Sequence, residues 1–554
     1  MNTTKTVDVT LNGAVHQVAL GTTLLELAAL HPRGDDKSIL AAMLNKRLSG
    51  LDCSIKREAD IQWLTYEHPA GADVYRRSCS FLLAKALHGL QRNARLVIRH
   101  SIGNAYYFDL YADVPVTASV LELIAVRMRQ LVALDEPIEH LEYDRDTAQG
   151  IFEKKAYADK ARLIGHFEHK KVSIYQCGKY IDLDYGPLVP STGRLRSFEL
   201  KPYDDGFLLL FPSHDDQDSF DEFVEQPKLF EVYRESKLWS SILEINNVGR
   251  LNEIVRSGNA LEFIRIAETF HEKKIGMIAD EIAKRKRQIR IITISGPSSS
   301  GKTTFSKRLS THLRVCGLRP VALSLDNYFI DRDKNPRDEH GHFDFESIKA
   351  LDLDLFNSHM VDLLKGHEIE VPRFSFEQGC RLPLGVPMRL YSDQILIIEG
   401  IHGLNPELTY LIPHEKKYKI YVSLLTPLNL DDYNRISTAD SRLLRRIVRD
   451  HKFRGYSAKE TISRWPSVKR GEVTWIYPFQ EEADMIFNSA LIYELSVLKG
   501  FAKNLLAGLG PEDNELSEAV RLLKFLALFT EIPPNGVPST SILREFIGGS
   551  SFDY

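Results

Sequence analysis

The sequence predicts an α/β protein centred on a parallel sheet that carries a phosphate-binding loop, and three observations predict it. The first is Ser295–Thr304, SGPSSSGKTT, in which Gly296, Gly301, Lys302 and Thr303 complete the G-x-x-x-x-G-K-[ST] pattern. The second is its setting. Arg290–Ile294 is a β-branched run that reads as a buried strand, and Phe305, Leu309 and Leu313 beyond the loop share one face of a helix. The third is a pair of further apolar runs, Val321–Leu325 and Ile395–Ile398, each followed by a carboxylate, Asp326 and Glu399. Carboxylates at the C-terminal ends of parallel strands face the crevice where ligands bind.

Each part of this pattern has a chemical use. The loop and the start of its helix direct backbone N–H groups and the positive end of a helix dipole at a polyphosphate. Ser298, Ser299, Ser300, Gly301, Lys302, Thr303 and Thr304 are therefore expected around a nucleotide, ATP. Lys302 is expected to neutralise β- and γ-phosphate charge, and the Thr303 hydroxyl to hold Mg²⁺. Asp326 is placed to take the proton of an acceptor hydroxyl, and Glu399 to approach the metal, directly or through water. A Gly/Ser-rich turn could match the loop by chance, but not with this strand and this helix around it. Either acid alone reads equally well as a structural strand end; beside the loop the pair reads as a site.

Ser441–Gly455, SRLLRRIVRDHKFRG, supplies cations. Arg442, Arg445, Arg446 and Arg449 fall at i, i+3, i+4 and i+7 and share one helix face, with Leu443, Leu444, Ile447 and Val448 opposite. A helix buried on one side with guanidinium groups on the other suits a lid over transferring phosphates, with Arg454-Gly455 at its tip. A solvated arginine face with carboxylate partners is the other reading.

A chain of 554 residues is too long for one core, and about 150 residues per domain implies three or four units. Its 43% hydrophobic and 26% charged residues suit ordinary globular folding. A net charge of −4 gives no global attraction to nucleic acid or anionic membrane. The five cysteines form no C-x-x-C pair, which argues against a zinc ribbon or disulfide framework. The first residues lack an apolar signal core, and no run approaches the roughly 18 apolar residues of a membrane span. The expected location is cytoplasmic, without membrane contact.

At the N-terminus, Val7–Leu11, a turn at Asn12-Gly13 and Val15–Leu20 read as a hairpin, with Thr23 capping a helix over Leu24–Leu30. The LNGAVHQVALGTTLLELA and AAMLNKRLSGLD stretches resemble the TGS β-grasp domain that begins threonyl-tRNA synthetases. Residues 70 to about 212 resemble the second additional domain of those synthetases, an α+β editing module, in YRRSCSFLLAKAL, AYYFDLYADVPVT and VSIYQCGKYIDLDYGPLVPSTGRLRSFEL. In that family four polar groups, an H-x-x-x-H pair and a cysteine and histidine four apart, form the editing site. Here Arg77, Phe81, Asp184 and Leu188 stand in those places, while Pro190–Gly193 keeps the family's PSTG. The resemblance then implies a retained fold used for binding, with RNA as the expected contact, or for scaffolding, since Phe81 and Leu188 neither bind metal nor move a proton; an active site built from other residues is the alternative. Next come an acidic linker, Ser213–Glu225, and a helical stretch over about 229–289 with Leu238, Ile242 and Ile245 on a buried face. The basic run Lys284–Arg287 reads either as a solvated helix end or as a contact to RNA or nucleotide.

Over about residues 286–505 the chain resembles the uridine–cytidine kinase and phosphoribulokinase family of P-loop enzymes. The resemblance implies Asp326, in SLDNYF with Tyr328 beside it, as acceptor-side base, and Asp344, in HFDFES, on the ribose hydroxyls. It places Phe374, in VPRFSF, against the base, and Arg446, Arg449 and Arg454 in the lid. A base-reading histidine of that family is replaced by Gly379, leaving Glu377, Gln378 or Arg381 as substitutes. The expected units are 1–66 (TGS-like), 67–225 (editing-like), 226–285 (helical linker), 286–505 (P-loop kinase) and 506–554, a helical tail for packing or self-association. The expected activity is ATP- and Mg²⁺-dependent phosphorylation of a nucleoside, uridine or cytidine, by Lys302, Asp326, Arg446 and Arg449. A kinase of another sugar or metabolite, and an RNA-binding regulator with a nucleotide switch, are the alternatives.

Overall fold

The computed structural model describes residues 5–11, 13–31, 38–91, 94–113, 115–214, 219–337, 341, 343–375 and 377–553. Its first unit is a five-stranded sheet ordered Ala14–Ala19, Thr6–Leu11, Ala59–Leu64, Ala41–Leu44, Arg47–Ser49. The hairpin forms as expected, although Asn12 of its turn lies outside the described residues. Thr23 caps the helix Leu24–Leu30 in a capping box with Glu26, and Leu24, Leu27 and Ala28 pack on Val9, Leu11 and Ile61. This is a sheet gripping one helix.

The second unit packs two helices, Pro69–Leu90 and Ala118–Leu134, with two antiparallel sheets of three and four strands. Leu82, Leu83, Phe108, Met128 and Phe207 form its dry centre. The acidic stretch that follows is described only in part, since 215–218 lie outside the described residues.

Three helices succeed it: Pro227–Ile242, Val248–Arg256 and Ala260–Lys284. One expectation is corrected here. Leu238 and Ile242 are 59% and 61% exposed, while Leu229, Tyr233, Ser236 and Ser240 form the buried stripe. The first helix ends at Ile242, so Ile245, itself buried, lies beyond it and cannot continue its face. Lys284, Lys286 and Arg287 are exposed at the end of the third helix.

The centre of the chain is a parallel sheet ordered Arg319–Ser324, Gln394–Glu399, Ile291–Ser295, Lys417–Ser423, Met485–Asn488. Ile291, Ile292, Ile294, Leu396, Ile397 and Ile398 are fully buried, as expected of strands covered on both faces. The register sets Glu399 level with Ile294 and Ser324, so three strands end at one edge. Phe305, Leu309 and Leu313 of the helix Lys302–Val315 share a core with Leu443, Leu444, Ile447 and Val448 of the helix Thr438–Arg454. The chain beyond Pro511 enters the same core through Leu522, Leu526, Ile542, Leu543 and Phe546. Among the described residues no helix is long and apolar enough to cross a membrane.

Candidate active site

The phosphate loop takes its shape from two glycines. Gly296 lies so close to the next strand that a β-carbon would sit 2.2 Å from the Val422 carbonyl oxygen. Gly301, at φ +88°, turns the chain into the helix Lys302–Val315 through a conformation side-chain-bearing residues rarely adopt. Between them Ser299 also holds a left-handed φ of 60°. The Ser299 and Ser300 hydroxyls are buried with no hydrogen-bond partner among the described residues. Buried hydroxyls ordinarily find partners, so the loop has polar capacity left for a ligand.

Around this loop stand the predicted charges. Thr303 Oγ1 donates to Glu399 Oε2 at 3.4 Å, joining the two expected metal-side residues. Lys302 is 8% exposed and its ammonium donates to the Pro297 carbonyl at 3.3 Å. Burial lowers its proton affinity, opposed by Glu399, Glu545 and Asp326. Glu399 is pushed up to about 7 by burial, with Lys302 pulling the other way. Asp326 is exposed to solvent; the protein around it raises its pKa, against Lys302, Arg454 and Arg449. These two acids and three cations therefore act on one another electrostatically.

The arginine helix divides in a way its spacing does not reveal. Arg442 and Arg445, 1% and 0% exposed, are fastened inward. Arg442 is ion-paired with Glu472, and its Nε donates to the Ser298 carbonyl at 2.9 Å. Glu472 also accepts from the Ser298 N–H at 3.1 Å and from the Tyr477 hydroxyl at 3.1 Å. Arg445 pairs with Glu494 at 2.5 Å and reaches the Ser299 and Ser300 carbonyls at 3.4 Å each. Arg446 donates to Ser298 Oγ at 2.8 Å, and Arg446, Arg449 and Arg454 converge on Asp450 at 3.2, 2.8 and 3.8 Å. Two arginines thus brace the loop, and three line the cleft side of the helix with Asp450 as their common counterion.

On the acceptor side the placements differ. Asp344 accepts from the Glu346 N–H at 3.1 Å, and Glu346 feels Arg446 and Lys302 across the cleft. Phe374 packs on Phe329 with ring centres 5.7 Å apart. Tyr328 is wholly buried against Phe356 and donates to or accepts from His359 Nδ1 at 3.0 Å, so its ring serves the core rather than the cleft. Arg381 is committed to Asp352 at 3.0 Å and to the Tyr328 and Phe329 carbonyls at 3.1 and 3.0 Å, which makes it a brace. The expectation that Tyr328 and Arg381 contact substrate gives way to these bonds. Glu346, Asp450, Glu472, Glu494 and Glu545 were not foreseen. Glu346 is pushed up to about 7 by burial, and Asp450, two residues from Val448 on a helix already singled out, was the most findable of the five.

In the second unit, Arg77, Phe81 and Leu188 meet around a cavity of only about 20 Å³, shared with Asp182, Tyr433 and Asn434. That is space for about one water molecule. Tyr433 and Asn434 belong to the hairpin of Asn429–Asp431 and Asn434–Arg435, which precedes the lid helix and lodges here. Lys160, fully buried, pairs with Asp182 at 2.6 Å and with Asp431 at 2.9 Å, and Tyr185 donates to Asp431 at 2.7 Å. Asp184 meets His140 at 3.1 Å; His140, also 3.2 Å from Asp52 of the first unit, is pushed up to about 10 by hydrogen bonds to Asp184 and Asp52.

Residues 291–495 match the model of the Phosphoribulokinase / Uridine kinase family. The chain is 36% identical over 190 residues to a threonine–tRNA ligase of Desulforamulus reducens, covering 34% of this chain and 30% of that protein. It is 34% identical over 197 residues to that of Symbiobacterium thermophilum, covering 35% and 30%. It thus spans about 30% of the length of the curated relatives it matches. A solved structure described as a possible uridine kinase from Bacillus stearothermophilus is similar at 20% identity and a TM-score of 0.26, covering 39% of this chain and 98% of that one. Residues 291–495 of this chain thus form a domain that matches the phosphoribulokinase / uridine kinase family model, and the chain also carries a region homologous to the N-terminal part of threonine–tRNA ligases.

Proposed function

We propose that the protein transfers the γ-phosphate of ATP to the 5′-hydroxyl of a ribonucleoside, with uridine or cytidine as acceptor. The observation that carries this reading is the phosphate loop itself, where Thr303 meets Glu399 and Arg446 meets Ser298, with Lys302, Asp326, Arg449 and Arg454 acting on one another electrostatically beside it. Mg·ATP, when bound, supplies the phosphoryl group and a cation that neutralises its oxygens. Thr303 and Glu399 would hold the metal, and the Ser299 and Ser300 hydroxyls, without partners among the described residues, fit a phosphate ligand.

The chain's own residues would do the rest. Asp326 accepts the proton of the attacking hydroxyl, and its raised pKa makes it a stronger base than an ordinary aspartate. Lys302, Arg446, Arg449 and Arg454 would face the charge that develops on the transferring group. Asp344 would select for two vicinal hydroxyls. In the N-terminal half, the small size of the cavity around Arg77, Phe81 and Leu188 supports a scaffolding role for that region.

A second reading keeps the phosphoryl transfer and changes the acceptor to another sugar or metabolite. It is favoured by the commitment of Arg381 and Tyr328 to internal bonds, which leaves few polar readers for a base. One assay separates the two: ADP release from Mg·ATP with uridine, cytidine, adenosine, deoxyuridine and a panel of sugars, each alone. Uridine or cytidine should give the highest kcat/KM, with deoxyuridine clearly poorer. A sugar outperforming every nucleoside would overturn the nucleoside assignment, and equal use of deoxyuridine and uridine would remove the role given to Asp344.

A further inference from the structure

The C-terminal segment reaches back into the phosphate loop. Glu545 Oε2 accepts from the Thr304 N–H at 3.1 Å and from Thr304 Oγ1 at 2.8 Å. Thr304 lies in the first turn of the helix Lys302–Val315, whose leading N–H groups have no partner within the helix. In a loop of this type those N–H groups cradle the α- and β-phosphates. A side-chain carboxylate therefore sits on a donor that a polyphosphate needs, and its charge is felt by Lys302 and Glu399.

We infer that Glu545 is a resident competitor for the nucleotide's phosphates: its carboxylate holds Thr304 in the free enzyme and has to turn aside before the polyphosphate can seat fully. This rests on the kinase reading of the loop.

The surroundings make the competitor local. Ile542, Leu543, Phe546 and Ile547 are at most 2% exposed and pack with the lid helix. The Lys452 ammonium donates to the Ile547 carbonyl at 2.6 Å, and the Arg445 guanidinium lies 5.0 Å from the centre of the Phe546 ring. On the loop side, Ile542 comes within 2.5 Å of where a β-carbon on Gly301 would stand. The segment is fixed on both sides, and withdrawing it would expose a core. The Glu545 side chain is only partly buried, so rotation about its own bonds suffices.

A structural helix cap gives the same two hydrogen bonds, and the two roles predict opposite effects. A cap stiffens the loop for its ligand, so its loss weakens binding. A competitor opposes the ligand, so its loss strengthens binding. Glu545→Gln decides between them, because glutamine keeps an acceptor oxygen for Thr304 and removes the charge.

The experiment titrates the full chain with Mg·ATP, inorganic tripolyphosphate and adenosine by calorimetry, for wild type, Glu545→Gln and Glu545→Asp, with Lys302→Ala as control. Thermal unfolding without ligand checks that each variant is folded. Glu545→Gln should bind Mg·ATP and tripolyphosphate at least about tenfold tighter, about 1.4 kcal/mol, and adenosine unchanged. Glu545→Asp, one methylene shorter, should fall between. Equal or weaker polyphosphate binding by Glu545→Gln, with wild type still binding, would overturn the competitor role and leave the kinase reading standing. If Glu545→Gln unfolds early, the Glu545→Asp titration decides by the same criterion. Absence of binding by wild type and every variant would instead overturn the kinase reading, and this inference with it.

Discussion

Replacing Glu472 by glutamine tests how the phosphate loop is held. Glu472 and Arg442 are each 1% exposed at the side chain, and together they grip both the N–H and the carbonyl of Ser298. The Gln side chain can still accept from the Ser298 N–H, but it leaves the Arg442 guanidinium buried without a counter-charge. Breaking a buried pair from one side costs about 3–5 kcal/mol, because the surviving charge loses its compensation. At roughly 2–4 °C per kcal/mol for a domain of 150–250 residues, the transition containing the loop should fall by about 6–20 °C. The assay is scanning calorimetry of the full chain at one scan rate, on wild type, Glu472→Gln, Arg442→Met and the double variant Arg442→Met/Glu472→Met. The double variant should recover most of the loss, because an apolar pair of similar volume carries no stranded charge. A shift under about 2 °C for Glu472→Gln, or a double variant as unstable as the two singles added, would refute the account.

Three further outcomes are expected. Lys302→Ala and Asp326→Asn should each remove turnover while unfolding at the wild-type temperature, the loss of a general base being worth ~10²–10⁴ in rate; a near-normal kcat for Asp326→Asn would end its role as base. In the absence of nucleotide, Glu399, held at about 7 against an ordinary 4.5, binds a proton in the folded chain that the unfolded chain has released. Its contribution to stability is complete below about 4.5 and is lost as pH rises through about 7, so Glu399→Gln should gain on wild type in urea midpoint between pH 5 and pH 8. A difference that does not change with pH would show that Glu399 is not buried as described. Finally, the purified full chain should carry no stoichiometric zinc and should not deacylate mischarged threonine tRNA, given Arg77, Phe81 and Leu188 around a cavity of only about 20 Å³; one zinc per chain, or measurable hydrolysis, would contradict this.

The parts legible in the sequence are those whose cause is local. A β-branched run, two glycines, a lysine and a helical stripe define the phosphate loop within 26 consecutive residues, Arg290 to Val315, because each constraint acts on its chain neighbours. The strands that end before Asp326 and at Glu399 were legible in the same way, from apolar runs, and register alone then set Glu399 level with Ser324. The divided fate of the arginines was not legible. Arg442, Arg445, Arg446 and Arg449 share one face by spacing, but the helix lies between the loop and the core, so two are drawn inward to Glu472 and Glu494. Those partners stand 30 and 49 positions away, and no periodicity reports a contact made by folding back. Leu238 and Ile242 show the same limit in reverse, since their spacing suited a buried face, yet the helix packs through Leu229, Tyr233, Ser236 and Ser240 instead. The two most consequential contacts are longer still: Tyr433 in the cavity of the second unit, and Glu545 on Thr304 across 241 positions. Local sequence determined which polar groups stand at the ends of the strands and on the helix beside the loop; the packing of distant segments decided which of them are committed to internal bonds.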